Sequence, residues 1–313
     1  MEEPIFLEPV FKNYIWGGDK IKTYLKKESP YDITAESWEI STNKDGQSVI
    51  KNGEMNGKTL SELFNKKEMR KNIFGIKTET LSEFPLLIKF IDARDNLSIQ
   101  VHPNDEYAKK IENSNGKTEM WYIVDCEKDA KIICGLNKKL TKEELAKIIN
   151  ENKIESYLNQ IKVRKGDFIY IPAGTLHAIM KGCLICEIQQ NSNITYRVYD
   201  WNRIGKDGKP RELHKEKAID VIDLNKISEI FNTSYKNETL INSEFFKVEK
   251  IVGDVNERSN IECFYAMNVV KGEGKLITHI KEYKLKLGDS FIIPANLGEY
   301  KINGNIELLK TYI

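Results

Sequence analysis

Short apolar runs separated by polar or Gly/Pro turns dominate the chain: "FPLLIKFID", "MWYIVDC", "AKIICGL", "DFIYIPA", "CLICEIQQ", "FKVEKIV", "ECFYAMNVV" and "DSFIIPA" are examples. Runs of that length bounded by such turns read as strands, so the pattern predicts a mostly β protein. Two stretches carry helical signals instead. "TLSELFNKKEMRKN" opens with Thr59 and Glu62 at capping-box spacing, and "LTKEELAKIINE" repeats it with Thr141 and Glu144. Both predict amphipathic helices packed at the edges of a sheet.

The pattern repeats itself once. "VRKGDFIYIPAGTLHAI" (163–179) and "LKLGDSFIIPANLGEYK" (285–301) share a basic residue, Gly-Asp, four residues and Pro-Ala in one register. Gly-Asp makes a turn, the run after it a strand, and proline is tolerated where that strand ends. Two copies predict two related barrels, for which a jelly roll closes many short antiparallel strands without open edges. We expect a first barrel with helical segments over 1–235 and a second over 236–313. The copies differ where chemistry would sit: His177 follows the first proline, while Gly298, Glu299 and Tyr300 occupy that region of the second.

In "NLSIQVHPND" (96–105), alternation puts Ser98, Gln100 and His102 on one face of a strand and Leu97, Ile99 and Val101 on the other, with Pro103 ending it. Glu119 heads the strand in "GKTEMWYIV", with Lys117 two residues earlier on the same face. Two imidazoles, a carboxylate and an amide oxygen can hold a divalent cation and leave a position for water or substrate. A strand histidine taken singly is more often a hydrogen-bonded structural residue. The arrangement "GDxxxxPxGxxH" is more specific, because turn, strand and Pro-Gly together aim His177. The remaining histidines stand apart: His214, in the charged "RELHKEKAID", is expected to cap or decorate a surface helix, and His279 lies in the second repeat.

Composition narrows the partner. The 313 residues carry 48 Lys plus Arg against 47 Asp plus Glu, so no basic field points to nucleic acid. The start "MEEPIFLEPVF" is acidic where a signal peptide would be basic, and no apolar run has membrane-spanning length. A cytoplasmic protein acting on a small molecule is expected, as a monomer or weak homo-oligomer. Five scattered cysteines fit a reducing compartment. Cys183 and Cys186 form a CxxC, but in a strand residues three apart face opposite ways, so two packing thiols are expected rather than a metal site.

"GDFIYIPAGTLHAI" resembles the second motif of the cupin superfamily. More narrowly, "AESWEIS", "PLLIKFIDARDNLSIQVHPND", "GKTEMWYIVD" and "IPAGTLHAI" resemble the type I phosphomannose isomerases, in their compact bacterial form. The usual cupin His-x-His appears here as Gln100-x-His102, a departure that family shares. The resemblance implies one zinc ion bound by Gln100, His102, Glu119 and His177, and interconversion of mannose 6-phosphate and fructose 6-phosphate through an enediol. It implies an active-site role for Arg197 in "NITYRVYDW" and for Glu187 in "CEIQQ", which is nominated as the acid/base, with Lys117 as the second nominee. Ser98 and Lys89 match positions associated with phosphate, and Trp16 in "YIWGG" is a candidate wall of the sugar pocket. Two other classes remain open: a sugar-phosphate sensor without turnover, and a cupin oxygenase using iron.

Overall fold

The computed structural model describes residues 3–205, 208–224 and 230–313. It is built of strands in three antiparallel sheets, with helices confined to the edges, as the pattern predicted. A seven-stranded sheet contains Glu36–Ile40, Leu86–Ala93, Glu119–Cys126, Asp167–Ile171 and Cys183–Gln190. A five-stranded sheet contains Ile99–Val101, Lys131–Leu136, His177–Ile179 and Tyr196–Tyr199. These two sheets face one another across a core that includes Ile91, Trp121, Ile123, Ile169 and Ile185 from the first and Ile132, Cys134 and Ile179 from the second.

Each sheet is covered on its other side. Ile99, Val101, Ile133, Ala178 and Val198 pack on Leu145 and Ile149 of the helix Lys142–Asn150 and on Ala218 of the helix Lys215–Val221. The outer face of the seven-stranded sheet, with Phe90, Met120, Tyr122 and Cys186, shares a core with Ile5, Ala266, Ile292 and Leu309 of the nine-stranded sheet. The N-terminal strand Ile5–Glu8 belongs to that nine-stranded sheet, where Ile5 pairs with Ile292. Among the described residues no helix is long and apolar enough to cross a membrane.

The sequence repeat is a structural one. Gly166 and Gly288 both take φ of +91°, a conformation that favours glycine. The Arg164 amide donates to the Asp167 carboxylate at 2.7 Å, and the Lys286 amide to that of Asp289 at 2.9 Å. The same turn then launches Asp167–Ile171 and Ser290–Ile293, each ended by its proline. At the place of His177 the second copy carries Glu299, exposed at the start of Glu299–Tyr312.

Both capping boxes form, with Thr59 accepting from the Glu62 amide and Thr141 from that of Glu144. The first segment is nevertheless two helices, Leu60–Phe64 and Lys67–Phe74, rather than one. Buried Arg70 turns back to donate to the Phe64 carbonyl at 2.9 Å and lies over the Phe64 ring, which stabilises the break. Cys183 and Cys186 do face opposite ways, into the two cores on either side of their strand, and none of the five cysteines is in a disulfide.

Candidate metal and active site

The site lies between the facing sheets, and strand register explains how it is assembled. Across the seven-stranded sheet Trp38 pairs with Lys89, Lys89 with Glu187, and Glu187 with Trp121, so four side chains share a row on the inner face. Glu119, two residues before Trp121, points the same way by the alternation of the strand. From the facing sheet, Gln100 pairs with both His177 and Arg197. Residues distant in sequence meet because two sheets, not one loop, supply the walls.

His102, Glu119 and His177 are buried, and their ligand atoms lie within 4.8 Å of one another. Nδ1 of His102 is 2.8 Å from the Ile194 carbonyl and Nδ1 of His177 is 2.9 Å from the Thr175 carbonyl. A carbonyl only accepts, so each ring carries its hydrogen at Nδ1 and turns Nε2 toward Glu119, at 3.6 and 3.1 Å respectively. Burial, reinforced by the Lys117 charge, holds the His102 pKa well below its usual value and keeps the ring neutral. Burial alone would raise Glu119, but its basic surroundings, the Lys117 ammonium first, outweigh it and hold its carboxyl well below the usual range.

A neutral His102 ring and an ionised Glu119 are the protonation states a metal requires of its ligands. The Lys117 ammonium stands 2.8 Å from Glu119 Oε2 and within reach of the His102 ring, so the cluster already faces a cationic group. Two imidazoles and a carboxylate converging in this way form a donor set that fits a metal ion. The Gln100 amide lies beside this set, 3.4 Å from His177 Nε2, and either its oxygen or its nitrogen can face inward by a simple flip.

The acid/base nominees border the same space. Glu187 is held by a 2.9 Å hydrogen bond from Trp121 Nε1 and by Lys89 at 3.3 Å, with Lys117 at 4.0 Å. Lys117 also reaches His102 Nε2 at 3.1 Å. Lys89, expected at phosphate, is 3 % exposed, lies 3.7 Å from Glu36 and sits over the Trp38 ring. Burial lowers its pKa, but Glu36, Glu187 and Glu119 outweigh that and raise it, so its ammonium is committed to carboxylates. A cavity of about 260 Å³ is lined by Trp16, Lys89, Ser98, Gln100, Lys117, Glu187 and Arg197, so it gathers the nominated residues except the three innermost metal ligands.

Some expectations needed adjustment. The strand carrying Gln100 begins only at Ile99, so Leu97 precedes the ladder and joins the inner core, not the face of Ile99 and Val101. His214 occupies the N-cap position of Lys215–Val221 without capping it, because its Nδ1 accepts from the Arg197 amide at 3.3 Å. Trp121, Glu36, Trp38, Tyr14, Asn193, Thr195 and Arg211 are site residues that the sequence reading did not single out. For Trp121 the signal was present, since it continues the face of Lys117 and Glu119 at period two.

Comparison with known proteins agrees with this geometry. The family profile "Phosphomannose isomerase type I, catalytic domain" matches residues 5–128, and "Mannose-6-phosphate isomerase, cupin domain" matches 236–313. Mannose-6-phosphate isomerase ManA of Bacillus subtilis (strain 168) is 42% identical over 320 residues, covering 99% of each chain. Mannose-6-phosphate isomerase of Streptococcus mutans serotype c is 37% identical over 319 residues, covering 100% of this chain and 99% of its own. The crystal structure of the mannose 6-phosphate isomerase from Bacillus subtilis superposes with a TM-score of 0.89 at 39% identity, over 99% of both chains. With the motifs, the cupin fold and full-length relatives all in agreement, the chain belongs to the type I phosphomannose isomerase family.

Proposed function

We propose that this chain interconverts mannose 6-phosphate and fructose 6-phosphate, using one zinc ion held by Gln100, His102, Glu119 and His177. The observation that carries the reading is the convergence of two imidazoles and a buried carboxylate beside a cavity that also contains Glu187, Lys117 and Arg197. Nitrogen and oxygen donors without thiolate suit zinc in a catalytic setting. When bound, the ion supplies Lewis-acid polarisation of the reacting sugar oxygens.

The protein's own residues handle the proton. Glu187 removes the C2 proton of the open-chain aldose, the C–H electron pair becomes the C1–C2 double bond of an enediol, and the carbonyl oxygen O1 gains a proton. Return of the proton from Glu187 to C1, with loss of the O2 proton, gives the ketose. Lys117 exchanges the oxygen protons. Arg197, with a permanent charge, offsets the negative charge that develops on those oxygens. Lys89, held between Glu36 and Glu187, fixes Glu187 in position, while Ser98 contributes a hydroxyl at the phosphate end.

The test is turnover of mannose 6-phosphate by purified protein before chelation, after it, and after zinc is returned. Activity that disappears and comes back with zinc is expected. A folded, zinc-replete protein that binds sugar phosphate without turnover would make it a sensor, and oxygen consumption with iron would make it an oxygenase.

A further inference from the structure

Two thiols of the first barrel face one another across a strand pair. Where Glu119–Cys126 pairs with Cys183–Gln190, Cys126 stands directly opposite Cys183. Strict alternation from Trp121 and Ile123 would turn Cys126 outward. The register shifts, however, where Ile123 and Asp125 oppose Ile185 and Leu184, leaving Val124 as an extra residue. That bulge returns Cys126 to the inner face, in one core with Cys183 and Ile185.

The backbone fixes how close the two thiols stand. The Glu127 amide donates to the Gly182 carbonyl at 2.9 Å, which makes Cys126 and Cys183, the next pair along, a non-hydrogen-bonded pair. In such pairs the Cα atoms are about 4.5 Å apart and the side chains are closest, within the range of about 4.4–6.8 Å that a disulfide spans. Opposed Cβ atoms in a sheet are about 4.5–5.5 Å apart against about 3.8 Å in a disulfide, so the strands must close slightly and the bridge is strained and easily reduced. Both sulfurs also reach one corner of the facing sheet. Sγ of Cys126 donates to the Val163 carbonyl at 3.7 Å and Sγ of Cys183 to the Lys131 carbonyl at 3.6 Å, on strand ends where Lys131 pairs with Lys162. Cys186 and Cys263 lie in the other core, and Cys134 stands opposite His177 in the facing sheet.

Exposure divides the roles. Cys126 is half-buried and Cys183 fully buried, so a small oxidant meets Cys126 first. Burial and then the Asp125 charge raise the Cys126 pKa, with Asp167 adding to the rise and the Lys165 backbone and the Lys20 charge opposing it. Burial pushes the Cys183 thiol up to about 12, with Cys126 and Glu127 adding and Lys20 opposing. Both thiols are therefore protonated at neutral pH and oxidise slowly there.

We propose that Cys126 and Cys183 are a reversible oxidation site, in which a hydroperoxide attacks Cys126 and Cys183 closes a disulfide that stops further oxidation. With hydrogen peroxide, the Cys126 sulfur takes one oxygen as the O–O bond breaks, giving a sulfenic acid and one water. The Cys183 sulfur then attacks the Cys126 sulfur, the S–S bond forms, the S–O bond breaks, and a second water leaves with the Cys183 proton. Two thiols give up two electrons and the peroxide is reduced to two waters. Without Cys183, a second peroxide would carry Cys126 on to the sulfinic acid, which thiols do not reverse.

The test treats folded, full-length, metal-loaded protein with hydrogen peroxide, blocks the remaining thiols, and maps the peptides by mass spectrometry for wild type, Cys183→Ala and Cys126→Ala. Wild type should give one linked peptide pair joining Cys126 to Cys183 within a chain, lighter by two hydrogens, and dithiothreitol should restore both thiols without unfolding. The rate of linkage should rise about 10-fold per pH unit between pH 7 and 8, as the thiolate fraction does. Cys183→Ala should carry on the order of 10-fold more sulfinic acid at Cys126 than wild type, and in Cys126→Ala the Cys183 thiol should stay reduced. Equal sulfinic acid at Cys126 in wild type and Cys183→Ala would overturn the inference. So would linkage only between chains, or two free thiols at a peroxide dose that fully oxidises glutathione in the same solution. Should Cys183→Ala fail to fold, the wild-type peptide map decides by itself.

Discussion

Asp92 is a buried carboxyl whose ionisation opposes folding, and its replacement should change the pH dependence of stability in a defined window. It is 3 % exposed, and burial raises its pKa from 3.8 to about 6, even though the Lys20 amide donates to Oδ2 at 2.7 Å and the Lys20 charge is near. Asp19 reinforces the rise and Arg94 opposes it, while the Lys20 ammonium is shared with Asp125 at 3.1 Å. Below 3.8 both folded and unfolded chains carry the proton and there is no cost. As pH rises toward 6 the unfolded chain has released its proton and the folded chain still holds it, so stability falls. At pH 7 both are ionised and the whole cost remains, about 3 kcal/mol at 1.36 kcal/mol per unit.

Asp92→Asn keeps the shape and an acceptor for the Lys20 amide while removing the charge. A weaker hydrogen bond returns about 1 kcal/mol of that gain, so a net stabilisation of about 1–2 kcal/mol at pH 7 is expected, and little difference at pH 4. Urea unfolding of both proteins at steps from pH 4 to 7.5 isolates the group, because every other titrating residue is common to the pair. The difference should grow between pH 4 and 6 and then level off. A variant less stable than wild type at pH 7, or a difference independent of pH, would refute the reasoning and mean that the Lys20 contact favours the carboxylate more than burial opposes it.

Glu119→Ala or His177→Ala should lose bound metal and turnover together, with metal affinity lower by on the order of 100-fold or more; metal analysis after dialysis checks this, and normal metal with full activity would reject the ligand set. Arg197→Ala should retain metal but lose about 100-fold or more in kcat, the scale of removing one electrostatic stabiliser, and loss of metal as well would make its role structural. Trp121→Phe removes the 2.9 Å donor to Glu187, leaves a buried carboxylate oxygen unpaired, and should cost about 2 kcal/mol in urea unfolding while lowering kcat with metal content intact.

Much of this was legible because a strand has a period of two. Alternation alone put Gln100 with Ser98 and Glu119 with Lys117, separated Cys183 from Cys186, and the repeated Gly-Asp turn foretold two matching strand starts. What alternation cannot give is which strand faces which. Glu36 lies in a quoted motif, yet its ion pair with Lys89 depends on the pairing of Glu36–Ile40 with Leu86–Ala93. That contact places the Lys89 ammonium among carboxylates in the cavity wall. Arg211 was hidden for a similar reason: its anchor, Asp200, is eleven residues away in the chain, and no periodic signal links the two. The helix break after Phe64 depends on Arg70 folding back, which a capping signal cannot foresee.

The charge balance of the site explains why the metal and the cationic wall belong together. By formal charge at neutral pH, the buried network holds three carboxylates, Glu36, Glu119 and Glu187, against two ammoniums, Lys89 and Lys117, with His102 neutral. It is therefore negative by one charge, a poor receptor for a phosphorylated sugar whose reacting oxygens become anionic. A divalent cation at His102, Glu119 and His177 reverses that sign, and Arg197 and Arg211 extend the positive region to the cavity wall. Metal should thus strengthen substrate binding and substrate should strengthen metal binding by the same factor, since the two equilibria share one coupling free energy. Trp121 and Lys89 make this workable by holding Glu187 in place, where an unheld carboxylate would turn toward the cation as a further ligand.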